Sequence, residues 1–275
     1  IYLRTTAAGE IMVCLVINAD GLPGGRAAEA RLVDCLLAEQ PRTVSVLLNI
    51  NRKNTNVVLG EQYRKLYGSG WIEDTLCGLR FRLSAGSFYQ VNREGAELLY
   101  ETAARMAEVR GGESLWDLYC GAGTIGLSML SPGRNARPAQ VTGVEIVPEA
   151  VACAEQNARL NAEAGRIPPD AAHFFCADAG DAAALFAAAD TGAAPAPDIV
   201  IIDPPRKGTT PELIRELARR GVPRVVYVSC DPETLARDCA LFRASGYAVG
   251  EVQPVDMFPR TGHVETVVLM SREDK

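Results

Sequence analysis

The run Val225-Val226-Tyr227-Val228-Ser229 ends in Cys230-Asp231-Pro232, a thiol where an apolar strand gives way to a polar turn. Cysteine is a small hydrophobe that often fills cores, but this is also where a nucleophile would be held. A nucleophilic thiol needs a depressed pKa or a nearby proton acceptor. Acids stand at the ends of two other apolar runs. Glu265 enters the run Val264 to Met270, where an acid is out of place unless it is paired or working. Asp203, in Asp203-Pro204-Pro205-Arg206, closes the run that begins at Ile199. The chemistry these types suggest is covalent addition by sulfur with a carboxylate moving a proton.

A second constellation lies upstream. Gly121-Ala122-Gly123-Thr124-Ile125-Gly126 matches G-x-G-x-x-G between a strand and a helix, so Gly121 and Gly123 let the backbone turn tightly and approach a ligand. Glu145 ends the next strand and can accept hydrogen bonds from both ribose hydroxyls. The motif alone leaves a dinucleotide enzyme and an S-adenosylmethionine enzyme open. Asp117, Glu145, Asp178 and Asp203, at successive strand ends, suit a ligand offering an amine, a sulfonium and a ribose better than a pyrophosphate.

Elements must bring these residues together. Strands are expected at Leu115–Tyr119, Val141–Glu145, His173–Asp178, Ile199–Asp203 and Val225–Ser229. Helices alternate with them at 124–130, 148–164, 182–189, 211–220 and 232–245. Asn92 is read as the N-cap of a preceding helix that stops at Gly111-Gly112. Strands alternating with helices imply a doubly wound, mostly parallel α/β sheet, with ligands in the crevice at the carboxyl ends of the strands. Tyr247–Pro254 and Val264–Ser271 read as an antiparallel edge pair. Ahead of this, residues 1–86 read as a smaller α/β domain, with strands Ile11–Ile17 and Thr43–Ile50 flanking a helix, Ala27–Glu39, and β structure around Gly78. Residues 87–275 form the second domain.

With 275 residues, 48% of them hydrophobic, the chain has ample material for a core. No apolar run approaches the length of a membrane span and no signal peptide opens the chain, so the expected compartment is the cytoplasm. The chain begins at Ile1 in strand-like sequence, as a piece of a longer protein would. Its eight cysteines show no C-x-x-C pair, so no metal or iron–sulfur site is expected. The net charge of −6 excludes a nucleic-acid binder relying on bulk electrostatics. Residues 1–82, however, hold ten Lys and Arg against eight Asp and Glu, so the acidic bias lies in the C-terminal part.

Six segments, in order, resemble the RNA uracil-5-methyltransferases, which make 5-methyluridine in transfer and ribosomal RNA. They are Phe88–Asn92, Asp117–Thr124, Gly143–Glu145, Asp203–Gly208, Ser229–Pro232 and Asp256–Glu265. The resemblance implies a Rossmann-like class I methyltransferase fold, with residues 1–86 as an auxiliary, RNA-binding domain and 87–275 as the catalytic one. It assigns Cys230 as nucleophile and Glu265 as base. Gln90, Tyr119, Thr124, Glu145, Asp178 and Asp203 should line the S-adenosylmethionine site. Phe88 should stack on or wall in the target base, with Arg206 and His263 on the substrate side. The implied partner is RNA, ribosomal ahead of transfer RNA, with no membrane and no obligate protein partner, and the target base should be flipped from its stack. Many family members add an N-terminal oligonucleotide-binding barrel, and some a four-cysteine cluster. Neither is visible from Ile1 onward, where Cys14, Cys35 and Cys77 lack the cluster spacing. An amino-group methyltransferase, which would need no thiol, and a non-catalytic RNA-binding module are the competing readings.

Overall fold

The computed structural model describes residues 1–54, 57–192 and 194–272. The chain divides into two compact units, Ile1–Thr75 with Arg80–Phe88, and Leu76–Leu79 with Tyr89–Lys275.

In the first unit, β1 (Tyr2–Thr5), β2 (Ile11–Ile17), α1 (Gly25–Glu39), β3 (Thr43–Ile50) and β4 (Gln62–Gly68) build a four-stranded sheet in the order β1-β2-β3-β4. The β2–β3 pair is parallel, joined through α1, while β1 and β4 flank it antiparallel. Helix α1 lays Val33, Leu36 and Leu37 on Val13 and Val46. A hairpin follows, β5 (Ile72–Leu76) and β6 (Leu79–Leu83), turned at Cys77-Gly78. Both turn residues have positive φ, 50° and 75°, as a two-residue type I′ turn requires.

The second unit runs α2 (Arg93–Ala107), β7 (Ser114–Leu118), α3 (Thr124–Met129), β8 (Gln140–Glu145), α4 (Pro148–Glu163), β9 (Ala172–Cys176), α5 (Ala182–Asp190), β10 (Ile199–Ile202), α6 (Pro211–Arg220), β11 (Arg224–Ser229), α7 (Pro232–Ala244), β12 (Ala248–Val255) and β13 (Glu265–Ser271). The seven-stranded sheet has the order β12-β13-β11-β10-β7-β8-β9. Strand order reverses between β7 and β10, which opens a crevice there. Of the terminal pair only β13 runs against the sheet, antiparallel to both β11 and β12. Its first residue therefore lies at the edge where the parallel strands end.

Burial on both faces explains the sequence pattern. Ile199 to Ile202 are all fully buried, so β10 reads as a continuous apolar run rather than an alternation. Each such side chain contributes about 1.5–3 kcal/mol on leaving water. On one face Trp116, Leu118, Val200, Ile202, Val225 and Tyr227 pack with residues of α5, α6 and α7. Helices α2, α3 and α4 also pack on the sheet, α2 against β11 and β13, and α3 and α4 against β8. No described helix is long and apolar enough to cross a membrane.

Candidate active site

The local sequence explains how Cys230 is presented. Ser229 Oγ accepts a hydrogen bond from Asp231 N at 3.1 Å and donates to Asp231 O at 2.9 Å. Asp231 Oδ1 accepts from the main-chain nitrogens of Glu233 and Thr234, both at 3.0 Å, and so caps α7, with Pro232 in the first turn. The thiol is pinned between the last residue of β11 and the first cap of α7, half-buried rather than sealed in the core.

Register supplies its neighbour. In the β11–β13 ladder Ser229 pairs with Thr266, so Cys230 and Glu265 each stand one residue beyond that last pair, near enough for the Glu265 charge to act on the thiol. Glu265 is 6% exposed. The loop ahead of it is tied down across 165 positions: Asn92 Nδ2 donates to Met257 O at 3.0 Å, while Asn92 Oδ1 caps α2 by accepting from Gly95 N. The sequence showed Asn92 as a cap only. Its second bond was hidden because it joins residues distant in the chain.

Electrostatics set this end apart. Burial, then the nearby Glu265 and Asp117 carboxylates, push Asp203 up to about 8. Burial also raises Glu265, with Arg206 working in the opposite direction. The Cys230 thiol is raised by burial first and by Glu265 and Asp203 next, while Arg206 pulls it down. Its surroundings thus favour the protonated thiol, with carboxylates of raised affinity for protons around it. Such a set can pass a proton between sulfur, carbon and carboxylate.

The glycine loop occupies the carboxyl ends of β7 and β8. Gly121 and Gly123 have φ of 54° and 78°. A Cβ at Gly123 would press on the Phe174 ring at 2.9 Å, and one at Gly126 on Asp117 Oδ2 at 2.8 Å, so those two glycines serve packing. At Gly121 a Cβ would meet nothing within 4 Å, leaving room for a ligand against the backbone. Tyr119 also has positive φ, 64°, a strained conformation for a residue with a side chain, and its hydroxyl lies 3.2 Å from Thr209 Oγ1. Glu145 accepts from Gly121 N at 3.1 Å and Val147 N at 2.9 Å. Asp117 is fully buried, accepts from Gly126 N through Oδ2, and has no partner for Oδ1. Burial pushes it up to about 7.

Tyr119, Gly121, Gly123, Thr124, Glu145, Asp203, Arg206, Cys230 and Glu265 thus share one edge of the second unit's sheet. Asp178 was expected at the end of its strand, but β9 stops at Cys176. The residue sits in the following turn, exposed, with Oδ1 accepting from Gly180 N at 2.8 Å. The Thr124 hydroxyl lies 2.9 Å from that of buried Tyr100. Gln90 is half-buried ahead of α2, and Arg206 and His263 are exposed. Phe88 is the last residue of the first unit and is 74% exposed. All eight cysteines are free, and no cluster of His, Cys, Asp and Glu able to hold a metal occurs among the described residues.

Comparison with known proteins agrees with this layout. An RNA methyltransferase of Clostridium acetobutylicum, whose activity is uncharacterized, is 40% identical over 267 residues, covering 97% of this chain and 54% of that protein. Another, from Halalkalibacterium halodurans, is 39% identical over 262 residues, covering 95% and 53%. The chain spans about half the length of the curated relatives it matches. The crystal structure of Pyrococcus abyssi tRNA (uracil-54, C5)-methyltransferase in complex with S-adenosyl-L-homocysteine matches with a TM-score of 0.74 at 28% identity, covering 98% of this chain and 58% of that one. The doubly wound sheet is accordingly the Rossmann-like fold of S-adenosylmethionine-dependent methyltransferases. The model of the tRNA (uracil-5-)-methyltransferase family matches residues 2–273, and the chain belongs to that family.

Proposed function

We propose that this chain methylates carbon 5 of a uridine in RNA, with S-adenosylmethionine as methyl donor and Cys230 as covalent nucleophile. The observation that supports the reading is a half-buried thiol just past the end of β11, close to the buried glutamate that opens the antiparallel β13, at the carboxyl edge of the parallel strands. The glycine end suits the cofactor: open space at Gly121, the Glu145 carboxylate at a strand end, and an unpartnered Asp117 oxygen beneath the loop. When bound, the cofactor supplies an electrophilic methyl group.

The residues of this chain do the rest. Carbon 5 of uracil is too weakly nucleophilic to be alkylated directly. Cys230, after losing its proton to a neighbouring carboxylate, adds through sulfur to carbon 6, and the ring electrons move to make carbon 5 an enolate carbon. Once carbon 5 carries the methyl group, Glu265 takes its proton, the sulfur–carbon 6 bond breaks, and the thiolate is released. A carboxylate that accepts a proton from carbon is more effective with a raised pKa, which burial gives Glu265. Phe88 and the 1–86 domain are assigned to the RNA. Arg206 and His263 face the substrate, and Gln90, Tyr119, Thr124 and Asp178 complete the cofactor side.

Trapping tests this directly. With RNA containing 5-fluorouridine, fluorine at carbon 5 blocks proton removal, so a covalent protein–RNA species that survives denaturation should accumulate. Cys230→Ala should form none while binding S-adenosylmethionine within about threefold of wild type. An adduct retained in Cys230→Ala, or methylated uridine made without any adduct in the wild type, would sink the mechanism. The Pyrococcus abyssi structural relative is a tRNA methyltransferase, so ribosomal and transfer RNA transcripts should be run side by side.

A further inference from the structure

Helix α7 buries Leu235, Asp238 and Phe242, a stripe at helical spacing with a carboxylate in its middle. Asp238 is fully buried. Its Oδ2 accepts from Tyr227 Oη at 2.7 Å and from Thr209 N at 3.0 Å, and its Oδ1 accepts from Arg237 Nε at 2.8 Å. Arg237 then reaches over the same segment, donating from Nη2 to Lys207 O at 2.9 Å. Gly208 closes the turn with its nitrogen on Pro205 O at 2.8 Å, and a Cβ there would collide with the Arg237 guanidinium and the Asp238 carboxylate. Thr209 carries the chain of contacts on to the Tyr119 hydroxyl. The Asp203–Thr209 loop is thus clamped from behind by one buried acid.

A wholly apolar cluster of the same shape would serve stability as well or better, because a buried ion pair seldom outweighs its desolvation, whereas removing the acid alone leaves Tyr227 Oη and Thr209 N without an acceptor. What the acid adds is a fixed geometry for the loop. The loop carries Asp203, which borders the thiol, and Arg206, whose charge acts on both Cys230 and Glu265. We propose that Asp238 is a positioning residue that anchors the Asp203–Thr209 loop to α7 and so holds Asp203 and Arg206 in place beside Cys230. The consequence for methyl transfer rests on the function proposed above. The clamp itself does not.

The test separates the two. Arg206 and Lys207 are exposed and offer trypsin a cut inside the loop. Asp238→Leu strands the Tyr227 hydroxyl and the Thr209 amide, so it should melt several degrees below wild type. Compared well below both melting temperatures, it should be cleaved at Arg206 or Lys207 at least tenfold faster, as mapped by mass spectrometry. Its kcat for RNA methylation should fall at least tenfold, with the KM for RNA within threefold. Asp238→Asn keeps an acceptor for Tyr227 and Thr209, and should recover part of both losses. If Asp238→Leu does not fold, Arg237→Ala and Tyr227→Phe take its place, each with severalfold faster cleavage measured well below its own melting temperature. Cleavage and kcat at wild-type values in the variants that fold would overturn the proposal. A wild-type protein that methylates no RNA would defeat the functional reading, and the cleavage rates would still decide the clamp.

Discussion

The two ends of the crevice treat their carboxylates differently. At the glycine end each acid is held by main-chain nitrogen: Asp117 by Gly126, Glu145 by Gly121 and Val147, Asp178 by Gly180. At the thiol end no hydrogen-bond donor among the described residues reaches the Asp203 or Glu265 carboxylate, and burial pushes both upward. Burial also raises Asp117, to about 7, but that acid keeps its main-chain bond from Gly126. The first arrangement fixes geometry, as recognition of a ligand requires. The second keeps proton affinity high, as proton transfer requires. One sheet edge supplies both because its strands end in loops of different construction.

The largest effect that sharpens this contrast is expected from Glu265→Gln. If Glu265 removes the carbon 5 proton, turnover should fall about 10²–10⁴-fold. A covalent species whose base already carries the methyl group should build up, and would be identified by mass spectrometry of the trapped nucleotide. Normal turnover in this variant would show that the thiol end is only a buried polar patch.

Much of this layout was readable in the sequence, and the unread parts share a cause. Strand ends and helix caps are local, so Cys230, Asp203, Glu145 and the Asn92 cap could be placed from spacing and residue type. Neighbours across the sheet are not local. That β13 inserts between β11 and β12, and so brings Glu265 close to Cys230, follows from topology alone. Strand β4 escaped notice because Gln-Tyr-Arg-Lys-Leu-Tyr-Gly is an exposed edge, where charge replaces the apolar alternation that marks a half-buried strand. Asp238 left a signal that was missed, an acid on the apolar stripe of a helix whose partners come from another strand and another loop.

A smaller change, confined to the cofactor, is expected at the glycine end. Glu145→Ala removes an acceptor that organises the loop through Gly121 and Val147. S-adenosylmethionine binding, followed by calorimetry, should weaken about 10–100-fold, the worth of one or two hydrogen bonds to a charged group. With saturating cofactor kcat should return to within a few-fold of wild type. If kcat fell as far as in Glu265→Gln with cofactor affinity intact, the division between a recognition end and a proton-transfer end would be wrong.

The smallest effect is one of stability, and its sign follows from the direction of the shift. Asp203 holds its proton up to about 8 in the folded chain, against an ordinary value of 3.8. Between these values the folded state binds a proton that the unfolded state has released, so this group's contribution to stability is fully present below about pH 4 and is lost as the pH climbs towards 8. Asp203→Asn abolishes the titration. Relative to wild type, the variant should melt about 2–5 °C higher at pH 8 and gain little at pH 4.5, measured by calorimetry at matched ionic strength. The gain should shrink in a Glu265→Gln background, because part of the upward push on Asp203 comes from that neighbour. An equal offset at both pH values would mean that Asp203 ionises as an ordinary carboxylate, and the thiol end would then lack the stored proton affinity assigned to it.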